Sequence, residues 1–377
     1  MKINPAILMV TALLTACSTP HDNYNIRWET SEILPTQKNG EKHIGVAGPI
    51  TGIIGNRLIV AGGANFPEKK PWEGGIKNYA KEIYIYKIED NSLSLQNQQT
   101  LQDGIAYSGT CSVNDTIYFA GGENIQGASA QVKKLFIKKD SIFEDEIAPL
   151  PVALTNGSLV ATGNKLYYIG GENQDIVSDK VYLLDLSKPK SQWVMTHALP
   201  YAVSNAVVVS NNKDTIYIAG GRKRNVGSTS TIYDSVLAID LASDNIEEIT
   251  KLPEPLAAGT GVLGGSGELL IFGGDNGETF HKVEAIIAEI GATEDNEKKE
   301  ILNVQKAQLQ SNHPGFSNKS WSYSFELKKW FQLNAIPQKS PVTTSALRLD
   351  NLIIIPSGEI SAGVRTDQLL VGMIERN

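Results

Sequence analysis

A glutamate and an arginine near the C-terminus have the types and spacing for acid–base chemistry on an anionic substrate. Glu359 and Arg365 are six residues apart in the segment Gly358–Asp367, and Gly363 lies between them. A short loop containing glycine lets both side chains face one cavity. Arginine can then hold a carboxylate by two parallel hydrogen bonds, and glutamate can act as a general base or acid. The alternative is an ion pair that only braces the loop.

Charged residues also occur earlier in the chain at an equivalent position, directly after pairs of glycines. In chain order, the residues at this position are Ala64, Glu123, Glu172, Arg222, Asp275 and Glu359, the last after a single glycine. If the copies superpose, their side chains ring one mouth of a channel. The simpler alternative is that strand ends are charged because they meet water. Both interpretations predict a polar mouth.

The glycine pairs mark a repeat, and this repeat supplies the elements that position the charged residues. An apolar run precedes each pair, as in Ile117–Ala120, which is typical of a buried strand. A second strand follows, and several repeats then have an apolar residue before Leu-Pro or Ile-Pro, as at Trp193 with Leu199–Pro200. Six copies recur about every 50 residues, and the glycine mark and period resemble kelch repeats. Four-stranded units that stack radially form a β-propeller.

Two further segments complete the predicted ring. Trp28–Leu34 matches the signal that ends other repeats, whereas the last repeat lacks this strand. We therefore predict an all-β, six-bladed kelch-type β-propeller over residues 26–377, closed by the N-terminal strand. Blade five carries an insert over about residues 276–320. The apolar spacing within Val283–Leu309 predicts one or two helices that lie over one face of the ring.

The first residues indicate export. The mostly apolar run Ile3–Ala16 follows Met1-Lys2 and is too short to span a bilayer stably. Leu14–Cys17 resembles the bacterial lipobox, in which the cysteine is lipidated; simple cleavage after Ala16 is the alternative. We predict a signal peptide over residues 1–17 with lipidation at Cys17, and a tether over residues 18–25. The protein would face the periplasm, anchored in the outer membrane through the lipid alone.

Charge and composition bear on the possible partners. The net charge of −7 argues against nucleic acid, which requires a basic face. Metal-ligand spacing of Cys and His, a phosphate-binding glycine loop and a nucleophile elbow are not evident in the sequence. We therefore expect no cofactor and no metal. Cys111 would have no intrachain disulfide partner after processing and is predicted to be a buried small hydrophobe.

The blade-six motif and the repeat together resemble one family. Gly358–Asp367 is similar to the signature of the bacterial N-acetylneuraminate (sialic acid) mutarotases, also called epimerases, which are six-bladed kelch propellers. Ala61–Phe66, Lys77–Tyr79 and Gly104–Tyr107 agree with the same resemblance. The blades are in the order of the cyclically permuted branch, so that the third blade here corresponds to the first blade of better-known members.

One departure from the family concerns a histidine. The turn Leu256–Thr260 of blade five has no histidine where the other branch leads us to expect one. His281 in the blade-five loop is a possible substitute, and a solvated loop histidine is the alternative. The departure affects the substrate range more than the reaction type.

The resemblance implies an isomerase that interconverts the α- and β-anomers of N-acetylneuraminate by opening and reclosing its ring. It implies Glu359 as the proton acceptor and Arg365 as the clamp for the carboxylate of this small sugar. The acid stays open among Tyr107, Tyr79, Glu123 and water. The further predicted contacts, to the acyl group and glycerol tail, are Asn65, Lys77, Asn78 and Arg222. The alternative function is a non-catalytic propeller that binds a glycan or a protein.

Overall fold

Each repeat folds into an antiparallel sheet of four strands, and six such sheets occur in the described part of the chain. This part is residues 24–37, 40–265 and 267–376 of a computed structural model. The strands of the first half are β1 (Tyr24–Ile33), β2 (Ile50–Ile54), β3 (Arg57–Ala61), β4 (Glu82–Glu89), β5 (Ser92–Thr100), β6 (Gly109–Val113), β7 (Thr116–Ala120), β8 (Val132–Lys138), β9 (Ser141–Glu146), β10 (Ser158–Thr162), β11 (Lys165–Ile169), β12 (Lys180–Asp185) and β13 (Val194–Ala198).

The second half continues the same pattern. Its strands are β14 (Val207–Ser210), β15 (Thr215–Ala219), β16 (Ser235–Asp240), β17 (Asn245–Lys251), β18 (Thr260–Leu263), β19 (Leu269–Phe272), β20 (Ser320–Ser324), β21 (Lys329–Leu333), β22 (Leu347–Leu349), β23 (Leu352–Pro356) and β24 (Gln368–Arg376). Strands β2–β5 form blade one, and β6–β21 form blades two to five in sets of four. Strands β22–β24 form blade six together with β1. Together the six sheets form the predicted six-bladed propeller.

Short ribbons extend four of the blades on one face. They pair Ala64–Asn65 with Asn78–Tyr79, Glu123–Asn124 with Gly127–Ala128, Arg222–Lys223 with Thr231–Ile232, and Glu359–Ser361 with Val364–Arg365. A 3₁₀ turn at Pro71–Glu73 lies in the long loop of blade one. Three of these ribbons follow glycine pairs, and both glycines of each pair adopt positive φ where the chain leaves the sheet, as in Gly121 (65°) and Gly122 (94°).

The hydrophobic core lies between neighbouring blades. Ile59 and Ile83 of blade one pack with Ile117 and Phe119 of blade two in one buried cluster. Strand β23 of blade six is buried along its whole length. Burial of each such side chain contributes about 1.5–3 kcal/mol. Because every blade shares its core with two neighbours, a closed ring is needed to cover all the apolar faces.

The N-terminal strand closes the ring, as predicted. Strand β1 pairs antiparallel with β24, in a register that sets Tyr24 opposite Arg376 and Ile33 opposite Gln368. Ile26 of β1 joins a core cluster with Phe272 of blade five. β1 begins two residues before the predicted start of the propeller, so the tether predicted over residues 18–25 ends by residue 23. The predicted signal peptide and Cys17 lie outside the described residues.

Two helices form the insert in blade five, also as predicted. Helix α1 spans Glu278–Ala292 and helix α2 spans Asn296–Ser311, between β19 and β20. Asp295 caps α2 by accepting hydrogen bonds from the N–H groups of Glu297 and Lys298. Glu284 of α1 accepts hydrogen bonds from the N–H and Oγ of Ser230, which ties the insert to blade four. Neither helix is long and apolar enough to cross a membrane, and the same is true of every described helix.

A ring of backbone hydrogen bonds crosses the central channel. Six residues, one from each blade, donate an N–H to the carbonyl oxygen of the preceding blade's residue over 2.6–3.0 Å. All six have positive φ, and in chain order they are Gly48, Tyr107, Asn156, Asn205, Ala258 and Thr343. A channel of about 450 Å³ lies on one side of this ring and a cavity of about 460 Å³ on the other. Cys111 lines the channel and is half-buried, so it is less buried than predicted.

Candidate active site

The cavity above the backbone ring combines a charged part with an apolar part. The backbone ring forms its floor. Glu359 and Arg365 of the blade-six ribbon, and Lys77 of the blade-one loop, supply charge. Phe280 of helix α1 and Phe316, which follows helix α2, belong to the apolar part. A concave, largely apolar site with a few charged groups is typical of small-molecule binding.

The residues that follow the glycine pairs lie on the same face, as the repeat predicts. Each of them forms a backbone bridge with the turn that leads into the innermost strand of its own blade. The six bridges are Ala47–Ala64, Ala106–Glu123, Thr155–Glu172, Ser204–Arg222, Ala257–Asp275 and Val342–Glu359. The backbone therefore holds all six positions at equivalent places around the mouth, and only their side chains distinguish the blades.

The blade-six ribbon brings Glu359 and Arg365 together. The two residues are directly opposite in its register, so their side chains share one face. Gly363, at φ 66°, makes the turn and donates its N–H to Glu359 Oε1 at 2.6 Å. Arg365 Nη2 lies 3.7 Å from Glu359 Oε2. The sequence expectation that both side chains face one cavity agrees with this placement.

Burial sets the protonation behaviour of Glu359. Its side chain is 19% exposed. Desolvation raises the pKa of this carboxyl above its ordinary value, while the Arg365 charge and the Gly363 N–H oppose the rise. Lys77 also lowers this pKa and Asp275 raises it. A carboxylate with a raised pKa is a stronger base than an ordinary one, which suits proton abstraction near neutral pH.

Arg365 has N–H donors that are not used in hydrogen bonds within the protein. Its side chain is 5% exposed, and its guanidinium lies 4.8 Å from the centroid of the Phe66 ring. Its Nε and Nη1 atoms are buried without a hydrogen-bond partner. Buried donors without partners are costly, so these two atoms are the natural partners of an anionic ligand. A carboxylate fits them because it can accept two parallel hydrogen bonds.

Tyr107 projects from the floor of the cavity. It belongs to the backbone ring at φ 58°, a conformation that is unusual for a side chain of this size. Lys77 Nζ lies 5.2 Å from the centroid of its ring. Burial raises the pKa of the Tyr107 hydroxyl, and the positive charge of Arg365 opposes this rise. Tyr107 therefore stays protonated at neutral pH and can donate a hydrogen bond or a proton.

Tyr79 and Glu123, predicted as substrate contacts or as the acid, lie outside the cavity lining and contact Lys77 or each other. Lys77 Nζ donates to Glu123 Oε1 at 2.7 Å, and the Tyr79 hydroxyl donates to the same oxygen at 2.9 Å. Burial also raises the pKa of Tyr79. Lys77 lines the cavity, whereas Glu123 and Tyr79 lie outside its lining. Of the side chains that the sequence offered as the acid, only Tyr107 therefore reaches the cavity.

Asn65 and Asn78, also predicted as contacts, form a brace within the blade-one loop. Asn65 is buried and its Nδ2 donates to the carbonyl of Gly45 at 3.0 Å. Asn78 Nδ2 donates to Asn65 Oδ1 at 3.3 Å. Neither side chain lines the cavity. The sequence motif places both residues near the site, but their hydrogen bonds turn them toward the loop backbone.

Arg222, predicted as a substrate contact, lines the cavity and already has an anionic partner. Its Nη2 donates to Glu172 Oε1 at 2.6 Å, and Asn156 Nδ2 donates to the same oxygen at 3.3 Å. The guanidinium lies 5.3 Å from the centroid of the Phe280 ring. Arg222 can therefore contact a ligand with its remaining donors, while Glu172 neutralises its charge.

Sequence reasoning missed several residues of the cavity. Asn156 and Asn205 line it from the backbone ring, and alignment of the repeats at the second residue before their innermost strands would have found them. His313, beyond the end of α2, also lines the cavity, whereas His281 does not. From the sequence, His281 was the one residue considered as a substitute for the expected histidine. The position of His313 depends on how the chain returns after α2, for which the sequence gives no short-range signal.

Comparison with known proteins agrees with the predicted fold and family. Residues 147–377 match the family model described as N-acetylneuraminate epimerase. The match begins directly after β9, the last strand of blade two, as expected if blade three here corresponds to the first blade of other members. The solved structure titled "Structure of YjhT" has a TM-score of 0.64 and 15% identity, and the alignment covers 92% of this chain and 100% of that one. This likeness supports the propeller fold.

Curated relatives match shorter segments. An N-acetylneuraminate epimerase from Vibrio vulnificus is 34% identical over 105 residues, which are 26% of each chain. Another from Salmonella enteritidis is 28% identical over 124 residues, 32% of each chain. The aligned segments thus span about a quarter to a third of these relatives. The family model, in contrast, matches more than half of the chain, and the chain therefore belongs to the N-acetylneuraminate epimerase family.

Proposed function

We propose that this protein is a mutarotase that interconverts the α- and β-anomers of N-acetylneuraminate. The observation that carries the proposal is the blade-six pair: a desolvated carboxylate beside an arginine that has two unpaired buried donors. This base and this clamp can hold a 2-keto acid sugar and remove the proton of its anomeric hydroxyl. Family membership supports the same reaction.

The reaction begins when Arg365 binds the substrate carboxylate, which sets the adjacent anomeric hydroxyl near Glu359. Glu359 takes the anomeric O–H proton, the bond from the anomeric carbon to the ring oxygen breaks, and a carbonyl forms. The ring oxygen receives a proton from Tyr107 or from water. Rotation about the adjacent carbon–carbon bond presents the other face of the carbonyl. Ring closure with the proton transfers reversed gives the other anomer.

Position and electrostatics supply the rate enhancement. The Arg365 charge lies beside Glu359 in a buried site, where it favours the ionised base over its protonated form. A fixed carboxylate also turns proton abstraction into a step within one complex, which lowers its entropic cost. Lys77 adds positive charge beside the Tyr107 ring.

Proton NMR tests the proposal. A sialidase releases α-N-acetylneuraminate, and growth of the β-anomer is followed with wild type, with Glu359→Ala and without enzyme. We expect wild type to accelerate the exchange and the variant to return it to the spontaneous rate. Wild type at the spontaneous rate would refute this substrate and favour the glycan- or protein-binding propeller. An active variant would leave the reaction intact but reject Glu359 as the base.

We also propose that Cys17 is lipidated and anchors the protein on the periplasmic side of the outer membrane. The motif Leu14–Cys17 supports this, and Cys17→Ala should release the protein into the soluble periplasmic fraction. β1 begins at the edge of the propeller remote from the cavity, because its other end, Ile33, pairs with Gln368 beside the blade-six ribbon. The cavity would then open away from the bilayer.

The length of the tether supports that orientation. Residues 18–23 reach at most about 20 Å when fully extended. A ten-residue strand such as β1 is about 30 Å long, so the tether is too short to bring the opposite face to the membrane. Fluorescence quenching by lipid-borne quenchers tests this in a Cys111→Ser background. A label at residue 139, in the turn after β8, should be quenched more strongly than one at residue 125, at a ribbon tip. A reversed order would reject the orientation.

A further inference from the structure

The cavity is chemically divided, and the helical insert builds one half of it. Glu359, Arg365 and Lys77 supply the charge of blades six and one, and they have room for an anionic ligand. The charged lining residues of blades four and five are Arg222, which pairs with Glu172, and Asp275, which accepts a hydrogen bond from the N–H of Gly277. The insert contributes Phe280 and Val283 from α1, and Phe316 follows α2; Ile232 of the blade-four ribbon lies in the same lining. These phenyl rings and aliphatic groups offer no partner to a charged substituent, and the charge of the nearby Arg222 is neutralised by Glu172. This surface favours a small apolar group such as a methyl.

His313 brings a polar group to this apolar half, and its orientation is fixed. Its Nδ1 accepts a hydrogen bond from the N–H of Gly315 at 3.0 Å. Its ring lies 4.8 Å from that of Phe316. Gly315 has φ 104°, a left-handed conformation that a side chain would strain, and this turn directs its N–H back to the histidine. The neutral ring therefore carries its proton on Nε2, which is left as a donor.

The charge state of His313 suits a neutral acceptor. Burial lowers the pKa of the imidazole, Asp275 opposes this, and Lys339 adds to it. The ring is therefore neutral at pH 7. Thr279 and Gln310 also line this half of the cavity. His313 differs from them because a hydrogen bond from the backbone holds its ring in place. A fixed, uncharged N–H beside apolar rings matches an amide carbonyl that carries a methyl group.

We propose that the helical insert forms an acylamido subsite, in which His313 Nε2 donates to the acyl carbonyl and Phe280 and Phe316 cover the methyl group. The inference rests on the proposed function, since the substrate named there carries an acetamido group. It adds a recognition residue that lies on the insert, outside the glycine-pair positions. His313 acts by binding and takes no part in the proton transfers of Glu359.

Paired substrates test the subsite. The anomer exchange of N-acetylneuraminate is compared with that of the analogue that bears a hydroxyl in place of the acetamido group. We expect His313→Ala to raise KM about tenfold for the acetamido sugar with little change in kcat, which is the effect of one net hydrogen bond. The analogue, which lacks the acyl group, should be affected less than twofold. His313→Gln, which retains an N–H donor, should restore part of the loss.

The matched control is His281→Ala, a histidine of the same insert that lies outside the cavity lining, and its KM should equal that of wild type. An equal loss for both sugars in His313→Ala would overturn the subsite and indicate a general structural role. Calorimetric binding of both sugars to the Glu359→Ala protein separates the two proposals. Selective weakening by the added His313→Ala would uphold the subsite even if wild type shows no turnover. Equal binding with and without that change would reject the subsite whatever the activity.

Discussion

Glu359 in blade six and Glu172 in blade three occupy the same position of the repeat, yet their surroundings differ. Glu172 accepts a hydrogen bond from Arg222 at 2.6 Å and a second from Asn156. Glu359 accepts one from the backbone of Gly363, and its arginine stands off at 3.7 Å. Both side chains are largely buried. The repeat thus provides the same scaffold twice, and in blade six the carboxylate has no hydrogen bond from its arginine.

The difference shows how a symmetric ring acquires one reactive position. In blade three the arginine, Arg222, comes from the neighbouring blade and donates a hydrogen bond to Glu172. In blade six the arginine belongs to the same ribbon, directly across from Glu359, and retains two unpaired donors. A carboxylate in direct contact with a cation is a weak base, because the pair stabilises its charged form. Glu359 keeps its basicity, while Arg365 keeps its capacity to bind an anion.

The largest expected effect comes from exchanging the two carboxylates for amides. Glu359→Gln should lower kcat for anomer exchange by about 10²–10⁴-fold, the usual contribution of a positioned general base. Glu172→Gln should retain activity within about tenfold, since its amide oxygen still accepts from Arg222. NMR exchange rates measure both variants. If both lose activity equally, the contrast between the blades has no catalytic meaning.

The two arginines provide the next test. Arg365→Lys should raise KM by about 10–100-fold, because an ammonium group cannot form the two parallel hydrogen bonds of a guanidinium. Arg222→Lys should raise KM by less than about fivefold, since its main partner is Glu172. Exchange rates measured over a range of substrate concentrations give the KM of each variant. A larger loss for Arg222→Lys would place the carboxylate clamp in blade four.

The pH dependence of kcat/KM should follow the raised pKa of Glu359. The base must be ionised, so activity falls as the pH drops through this pKa, which lies above that of an ordinary glutamate because of burial. Arg365→Met removes the nearby charge that opposes the rise, and the acid limb should move to higher pH. Rate profiles from pH 4 to 8 check the shift. A limb that stays in place would mean that another group controls it.

The smallest expected effect is on the free energy of unfolding, which should be larger for the inactive Glu359→Gln variant than for wild type. A carboxyl whose folded-state pKa is raised stabilises the fold when protonated, and this contribution is lost as the pH rises through the unfolded and then the folded pKa. Each unit of difference amounts to about 1.4 kcal/mol. Glu359→Gln should therefore have a higher Tm than wild type at pH 8 and a similar Tm at pH 4. Equal melting curves at both pH values would count against the desolvation of Glu359.

The sequence predicted the fold well because its signals are local and repeated. The apolar runs before each glycine pair gave the six blades, and the spacing within Val283–Leu309 gave the helices. The closing N-terminal strand was predicted because Trp28–Leu34 is a strand without a repeat of its own, and the last repeat lacks one strand. Each of these inferences needs only short-range periodicity and the requirement that no sheet edge stays open.

The site was predictable in its centre and less so at its margins. Glu359 and Arg365 belong to one short ribbon, so their spacing nearly fixes their geometry. Asn65 and Asn78 lie on a long loop whose own hydrogen bonds decide where each side chain points, and these bonds direct both away from the cavity. His313 reaches the cavity only because the chain returns to it after two helices. No pattern of neighbouring residues encodes such a return.

The backbone ring at the floor of the cavity has an electrical consequence. Peptide dipoles aligned along a helix sum to partial charges at its ends. In the ring of six hydrogen bonds the peptides follow one another head to tail around a closed circle, so their in-plane components cancel. The floor has no positive or negative pole around its circumference. Differences in charge around the mouth therefore come from the side chains, and each blade can change its own charge over the same backbone base.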